Sequence, residues 1–218
     1  MNKPVELKLE TVPLWINGSA VSLSASRMGD VFNPATGQVV RRVPYCDAAQ
    51  VDSAVKAATA ALAEWRDWPP IRRARVMQRF LRALEENQKD LARLVSEEHG
   101  KTIPDAMGSI QRGMEVVEFA CGIPHLLKGE HSENVGTQVD THTMRQPVGV
   151  CAGITPFNLP VMVPLWMFPM ALACGNTFIL KPSEKDPSPS IRMAEMLKKA
   201  GLPDGVFNVV HGDKQCVD

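Results

Sequence analysis

The spacing of apolar positions along the chain changes twice. From residue 13 to 45 apolar residues come in short runs separated by turn signals: Asn17-Gly18 follows Leu14-Trp15-Ile16, and Asn33-Pro34-Ala35-Thr36-Gly37 follows the next run. Such residues accept tight-turn backbone and join short strands. From Asp47 the period lengthens. Val51, Ala54, Val55, Ala58, Leu62 and Trp65 recur at helical spacing, and Asp47 is placed to cap the helix. Trp68-Pro69-Pro70 ends that helix and starts another. The pattern over 71–99 predicts one broken or two consecutive amphipathic helices closed by Gly100, and a further helix runs from Pro104 to Cys121. Residues 129–147 read as an extended polar hairpin, with Val139, Thr141 and Thr143 alternating and a turn at Asn134–Gly136.

After Pro147 the second change occurs. Val148–Ile154 is a wholly apolar strand of the kind buried on both faces, and Pro160 is predicted at the first position of an apolar helix reaching Ala173. Thr177–Lys181 is a second strand, Ser188–Ala200 a second helix and Val206–Val210 a third strand. That βαβαβ order predicts an α/β fold, an incomplete Rossmann-like doubly wound parallel sheet. The expected organisation is strands and helices over 1–128, the hairpin over 129–147 and the first βαβαβ over 148–218. On its own such a unit is expected to expose its third strand as an open sheet edge and to bare an apolar helix face.

The uncharged stretch between Arg145 and Lys181 imitates a membrane span, yet its continuous apolar run, Leu159–Cys174, is 16 residues long and holds Pro160, Pro164 and Pro169. A bilayer crossing needs about 20 residues. A buried helix is expected, with no membrane partner.

Composition narrows the function classes. The 218 residues carry 24 Lys+Arg against 24 Asp+Glu and are 44% hydrophobic, which excludes a disordered chain and leaves no basic surplus for nucleic acid. Five cysteines without a CxxC pair suit a reducing compartment, and MNKPVELKLE has no apolar leader, so a cytoplasmic setting is expected. No His or Cys spacing suits a metal; His131-Ser132-Glu133 lacks the second half of a zinc-deaminase signature. Arg72, Arg73, Arg75, Arg79 and Arg82 precede a run of acids and read as a solvated, salt-bridged helix face.

In open α/β sheets ligands bind at the carboxyl ends of strands, beside helix amino termini. Two loops occupy that place, Thr155–Pro160 and Lys181–Asp186. Glu184 either accepts from ribose hydroxyls or pairs with Lys181 on the surface. Asn158 either caps the apolar helix or donates its amide to a developing oxyanion.

Gln146-Pro-Val-Gly-Val-Cys-Ala-Gly-Ile-Thr-Pro-Phe-Asn158 followed by Cys174-Gly-Asn-Thr-Phe-Ile-Leu-Lys-Pro-Ser-Glu184 resembles the aldehyde dehydrogenase superfamily. Asn33-Pro-Ala-Thr-Gly37 and Glu98-His-Gly-Lys-Thr102 are similar to its amino-terminal landmarks. Arg112-Gly-Met-Glu-Val-Val-Glu118 and Pro164-Leu-Trp-Met-Phe-Pro169 resemble the CoA-acylating methylmalonate-semialdehyde dehydrogenase branch. The resemblance implies NAD bound by Thr155, Pro156 and Phe157 on the nicotinamide side and by Lys181, Glu184 and Lys185 on the ribose side. It implies Asn158 as oxyanion donor and Arg112, otherwise a helix-surface partner of Glu115, as holder of a semialdehyde's carboxylate. Coenzyme A is implied as acyl acceptor, valine and inositol breakdown as pathways, and a homo-oligomer (dimer or tetramer) through residues 129–147. The same resemblance puts the nucleophilic cysteine beyond position 218; Cys151 and Cys174 are expected to be inert, and these residues alone to be inactive. The alternatives are a non-acylating NAD-dependent aldehyde dehydrogenase and a non-catalytic nucleotide-binding fragment.

Overall fold

The computed structural model describes residues 9–217. The leaderless amino terminus expected from the sequence falls almost wholly outside them.

The amino-terminal strands are β1 (Glu10–Thr11), β2 (Leu14–Ile16), β3 (Ser19–Val21), β4 (Met28–Asn33) and β5 (Gln38–Pro44). Helices α1 (Ala48–Trp65), α2 (Pro70–Glu86), α3 (Gln88–His99), α4 (Ile103–Cys121) and the short α5 (Ile123–Leu126) follow. Then come β6 (His131–Gly136), β7 (Val139–His142), β8 (Val150–Ile154), α6 (Met162–Ala173), β9 (Thr177–Lys181), α7 (Ser188–Lys199), β10 (Phe207–Val209) and α8 (Lys214–Val217). Local chemistry accounts for most of these boundaries. Asp47 and Gln50 form a reciprocal capping box on α1, Pro70 opens α2, and Gly100 ends α3 in the left-handed region at φ 86°. Asn17 and Gly18, both at positive φ, make the β2–β3 turn.

The main sheet has the order β3-β2-β10-β9-β8. Strands β8, β9 and β10 are parallel, as the βαβαβ pattern predicts, while β2 joins β10 antiparallel and brings β3 with it. The sheet is therefore mixed. Alternation along β9 divides the core: Phe178 and Leu180 face a large cluster with Phe168 of α6 and Leu197 of α7, and Ile179 faces a smaller one with Leu14 and Ala54. Phe168 centres the large cluster, its ring 4.6 Å from Phe207 and 5.8 Å from Phe80. Gly113 lets α4 lie against α6, since a Cβ there would meet Leu165 Cδ1 at 2.7 Å.

Several expectations need correction. β8 is not buried on both faces: among the described residues it is the sheet's outer strand, with Val150 and Ile154 exposed. The third strand is not the open edge, because β2 covers it. Pro160 precedes α6, lying in the turn where Val163 N–H donates to Leu159 C=O. The hairpin turns at 137–138 rather than 134–136, and both its strands are exposed throughout. The arginines of α2 are solvated as expected except Arg73, but none of them makes an ion pair among the described residues. Arg73 is buried and donates to the carbonyls of Ala173, Arg66 and Trp68, Arg79 donates to Ala200 C=O at 2.6 Å, and Arg72 stacks on Trp68. Arg73 and Arg79 thus satisfy carbonyls at the carboxyl ends of α6 and α7, where helix backbone has no partner of its own.

Candidate functional site

Parallel register sets Ile154 beside Lys181, so the loops after β8 and β9 leave the sheet side by side. Thr155 N–H donates to Lys181 C=O at 3.2 Å, and the Thr155 hydroxyl is buried without a hydrogen-bond partner. Beyond it the loop turns outward and presents Phe157, 45% exposed. The Phe157 ring stacks on His99 at 5.1 Å, and Lys185 Nζ lies 5.0 Å from its centroid on a cation–π contact. Lys181 Nζ is 3.5 Å from Glu184 Oε2. These groups border a cleft of about 340 Å³ whose opposite wall is made by Phe32, Pro34 and Tyr45.

The cleft brings together Phe157, Glu184 and Lys185, with Lys181 paired to Glu184 behind them. Thr155 lies beneath, and Pro156 is exposed on the loop. Asn158 is exposed too, and it does not cap α6, whose cap position is Val161. Its backbone carbonyl accepts from Lys101 Nζ, leaving the side-chain amide unengaged among the described residues. Arg112 stands exposed on α4, outside the cleft, and does not pair with Glu115.

Sequence reasoning assigned no role to the residues that hold this arrangement in place. Glu98 is buried at the end of α3, where it accepts from Arg41 Nη1 at 3.0 Å and from Ser188 N–H, the first residue of α7, at 3.1 Å. Burial pushes the Glu98 carboxyl up, and Ser188 and Arg41 oppose that. Asp186 is fully buried; burial raises its carboxyl to about 7, with the Ser183 hydroxyl and the Lys101 cation acting against that rise. His211, buried behind Lys181, is lowered to about 4 by burial and contacts Pro13 C=O at 3.0 Å. The signal for two of these residues was present in the run Glu98-His-Gly-Lys-Thr102, where Gly100 turns the chain between His99 and Lys101.

Residues 21–218 match the aldehyde dehydrogenase family. The chain is 55% identical to the malonate-semialdehyde dehydrogenase of Pseudomonas aeruginosa over 93% of its own length and 41% of that protein's. It is 51% identical to the mitochondrial, acylating methylmalonate-semialdehyde dehydrogenase of Arabidopsis thaliana, over 95% of this chain and 34% of that one. Among solved structures, the methylmalonate-semialdehyde dehydrogenase of Oceanimonas doudoroffii superposes with a TM-score of 0.94 at 55% identity, covering 96% of this chain and 43% of that one. A protein from Sinorhizobium meliloti assigned to the same activity, complexed with NAD, superposes with a TM-score of 0.95 at 50% identity, covering 98% and 43%. The chain thus spans about two fifths of the length of these relatives. With the family match running across nearly all of the sequence and the fold shared from the amino-terminal strands to β10, this chain belongs to the aldehyde dehydrogenase family.

Proposed function

We propose that these residues are the cofactor-binding amino-terminal portion of an NAD-dependent, CoA-acylating malonate- or methylmalonate-semialdehyde dehydrogenase. The observation that carries this reading is the meeting of Phe157 with Glu184 and Lys185 over the carboxyl ends of β8 and β9. The cleft fits an adenosine moiety: apolar walls from Phe32 and Pro34, a volume of about 340 Å³ and a half-exposed carboxylate at Glu184 that can accept from ribose hydroxyls. The same carboxylate repels a 2′-phosphate and so favours NAD over NADP. Thr155, Pro156 and Phe157 line the nicotinamide side, and Lys181, Glu184 and Lys185 the ribose side. Bound NAD supplies the hydride acceptor.

Asn158 acts by donation. Lys101 fixes its backbone carbonyl, so its free side-chain amide can be held toward an oxyanion formed when a thiolate adds to the aldehyde. Arg112, exposed and without an ion-pair partner among the described residues, is free to hold the substrate carboxylate bidentately. The nucleophilic cysteine and the coenzyme A site belong to the remainder of the whole protein. Burial pushes the Cys121, Cys151 and Cys174 thiols up, away from that role. The hairpin β6–β7, exposed on both strands, pairs subunits of a homo-oligomer, because an isolated two-stranded hairpin is only marginally stable in water. A cytoplasmic setting rests on the free thiols; no helix among the described residues is long and apolar enough to cross a membrane.

The test uses the full-length protein. Asn158→Ala is expected to lower kcat by about 10²–10³-fold while the NAD dissociation constant changes little. An unchanged kcat removes the oxyanion role, and turnover undiminished without coenzyme A removes the acylating assignment.

A further inference from the structure

Two cysteines 170 positions apart in the chain meet on the α1 face of the sheet. Cys46 lies between β5 and α1, is 3% exposed, and donates its backbone N–H to His211 C=O at 2.9 Å. Cys216 lies on α8, and its side chain packs against Gly212, where no Cβ would fit. The Cys216 side chain packs against the apolar cluster that Cys46 forms with Ile16, Ile179 and Val210, which brings the two thiols together. Arg27 fastens α8 from outside by pairing with Asp213 and donating to Gln215. A cavity of about 460 Å³, lined by Cys46, Gln215 and the loop from Leu23 to Arg27, reaches the Cys46 side of the pair. The thiols are therefore neighbours in one cluster, held from both sides, with Cys216 only half-buried and so within reach of a small solute.

Burial gives the two sulfurs different roles, because Cys46 is buried and Cys216 only half-buried. The interaction between the two thiols, with Lys181 adding to the effect, draws the Cys216 thiol down to about 7 and pushes the Cys46 thiol up. Cys216 is thus the nucleophile of the pair, and Cys46 is the protonated neighbour able to resolve what forms on it.

We propose that Cys46 and Cys216 are a peroxide-sensitive dithiol that oxidises to an intramolecular disulfide. The Cys216 thiolate attacks the outer oxygen of a hydroperoxide; an S–O bond forms, the O–O bond breaks, and the alkoxide or hydroxide leaves with a proton from water, giving the sulfenic acid. Cys46 then attacks the sulfenic sulfur; the S–S bond forms, the S–O bond breaks, and water departs with the Cys46 proton. Two thiols lose two electrons and two protons, and one hydroperoxide becomes an alcohol (or water) and a further water. The disulfide ties the segment after β10 to the entry of α1, beside the Lys181 end of the cleft.

The experiment takes the whole protein as isolated from its own cells, reduces it, removes the reductant and adds a small excess of hydrogen peroxide. Remaining thiols are alkylated and the peptides mapped by mass spectrometry. The expected result is a linked peptide containing Cys46 and Cys216, reversed by dithiothreitol, with Cys121, Cys151 and Cys174 alkylated. A map in which Cys46 stays alkylated, whether Cys216 is untouched or carried on to the sulfinic acid, overturns the proposal, as does a linkage to another cysteine. In Cys216→Ser the remaining thiols are expected to survive that peroxide dose. In Cys46→Ser the Cys216 sulfenic acid is expected to accumulate and be trapped by dimedone. Should Cys46→Ser fail to fold, the wild-type map and Cys216→Ser decide the question.

Discussion

Asp186 is the most exposed to pH of the buried groups. Burial, with the Glu98 and Glu184 carboxylates adding to it, raises its carboxyl from 3.8 to about 7 against the opposing Ser183 hydroxyl and Lys101. A carboxyl raised on folding favours the protonated folded state. Its contribution is therefore fully present below about pH 4 and is lost as pH rises through about 7. At about 1.4 kcal/mol for each of roughly three units, the loss approaches 4 kcal/mol. Asp186→Asn is expected to flatten the fall in stability between pH 4 and pH 7.5 and to leave the variant more stable at the upper end. Urea unfolding at several pH values measures this, and parallel curves for the two proteins would contradict it. At this scale the sequence had indicated Phe157, Glu184 and Lys185, whose place follows from being next to strand ends. It pointed to Glu98 only as part of a family landmark and did not indicate that Glu98 and Asp186 are buried, because a carboxylate's burial is set by neighbours that spacing does not reveal.

Among the elements, the end of α3 does most to shape the cleft. Gly100 at φ 86° lets the chain reverse so that His99 stacks on Phe157 and Lys101 reaches the Asn158 carbonyl. A Cβ there would lie 3.2 Å from Pro34 Cβ in a backbone conformation that L-residues adopt at a cost. Gly100→Ala is expected to lower stability by about 1–2 kcal/mol, read as a lower urea midpoint with an unchanged slope. An unshifted midpoint would show that the turn relaxes without strain. Caps and breakers such as Asp47, Pro70 and Gly100 were legible because their chemistry is local. The turn of β6–β7 was misplaced because Asn134, which does take positive φ, is a bulge residue rather than the turn itself.

For the molecule as a whole, the unsatisfied side of the sheet is β8. Val148 is 88% exposed and Ile154 56%, and Trp166 and Met167 of α6 are exposed as well. A strand with one open edge beside exposed apolar side chains invites association. A polypeptide of these 218 residues alone is expected to self-associate at micromolar concentration, and Val148→Lys with Ile154→Lys to reduce that association, as followed by sedimentation velocity. A monomer before substitution would contradict the expectation. The full-length family member is expected to cover this edge, so the same substitutions there should lower stability instead.

Periodicity, caps and turn residues by themselves determined the long helices, the three parallel strands and the two loops at their carboxyl ends, because each depends on chemistry within a few residues. Tertiary structure alone decided that β2 and β3 extend the sheet beyond β10, with Asn17 N–H bonded to Asn208 Oδ1 across 191 positions. It alone decided that β8 lies at the edge, that Arg73 is buried against helix carbonyls, that Glu98 receives the amino terminus of α7, and that Cys46 meets Cys216. The physical reason is common to all of these. A side chain's burial and partners are set by which distant segment packs over it, and a one-dimensional pattern records only that a face is apolar, not what covers it.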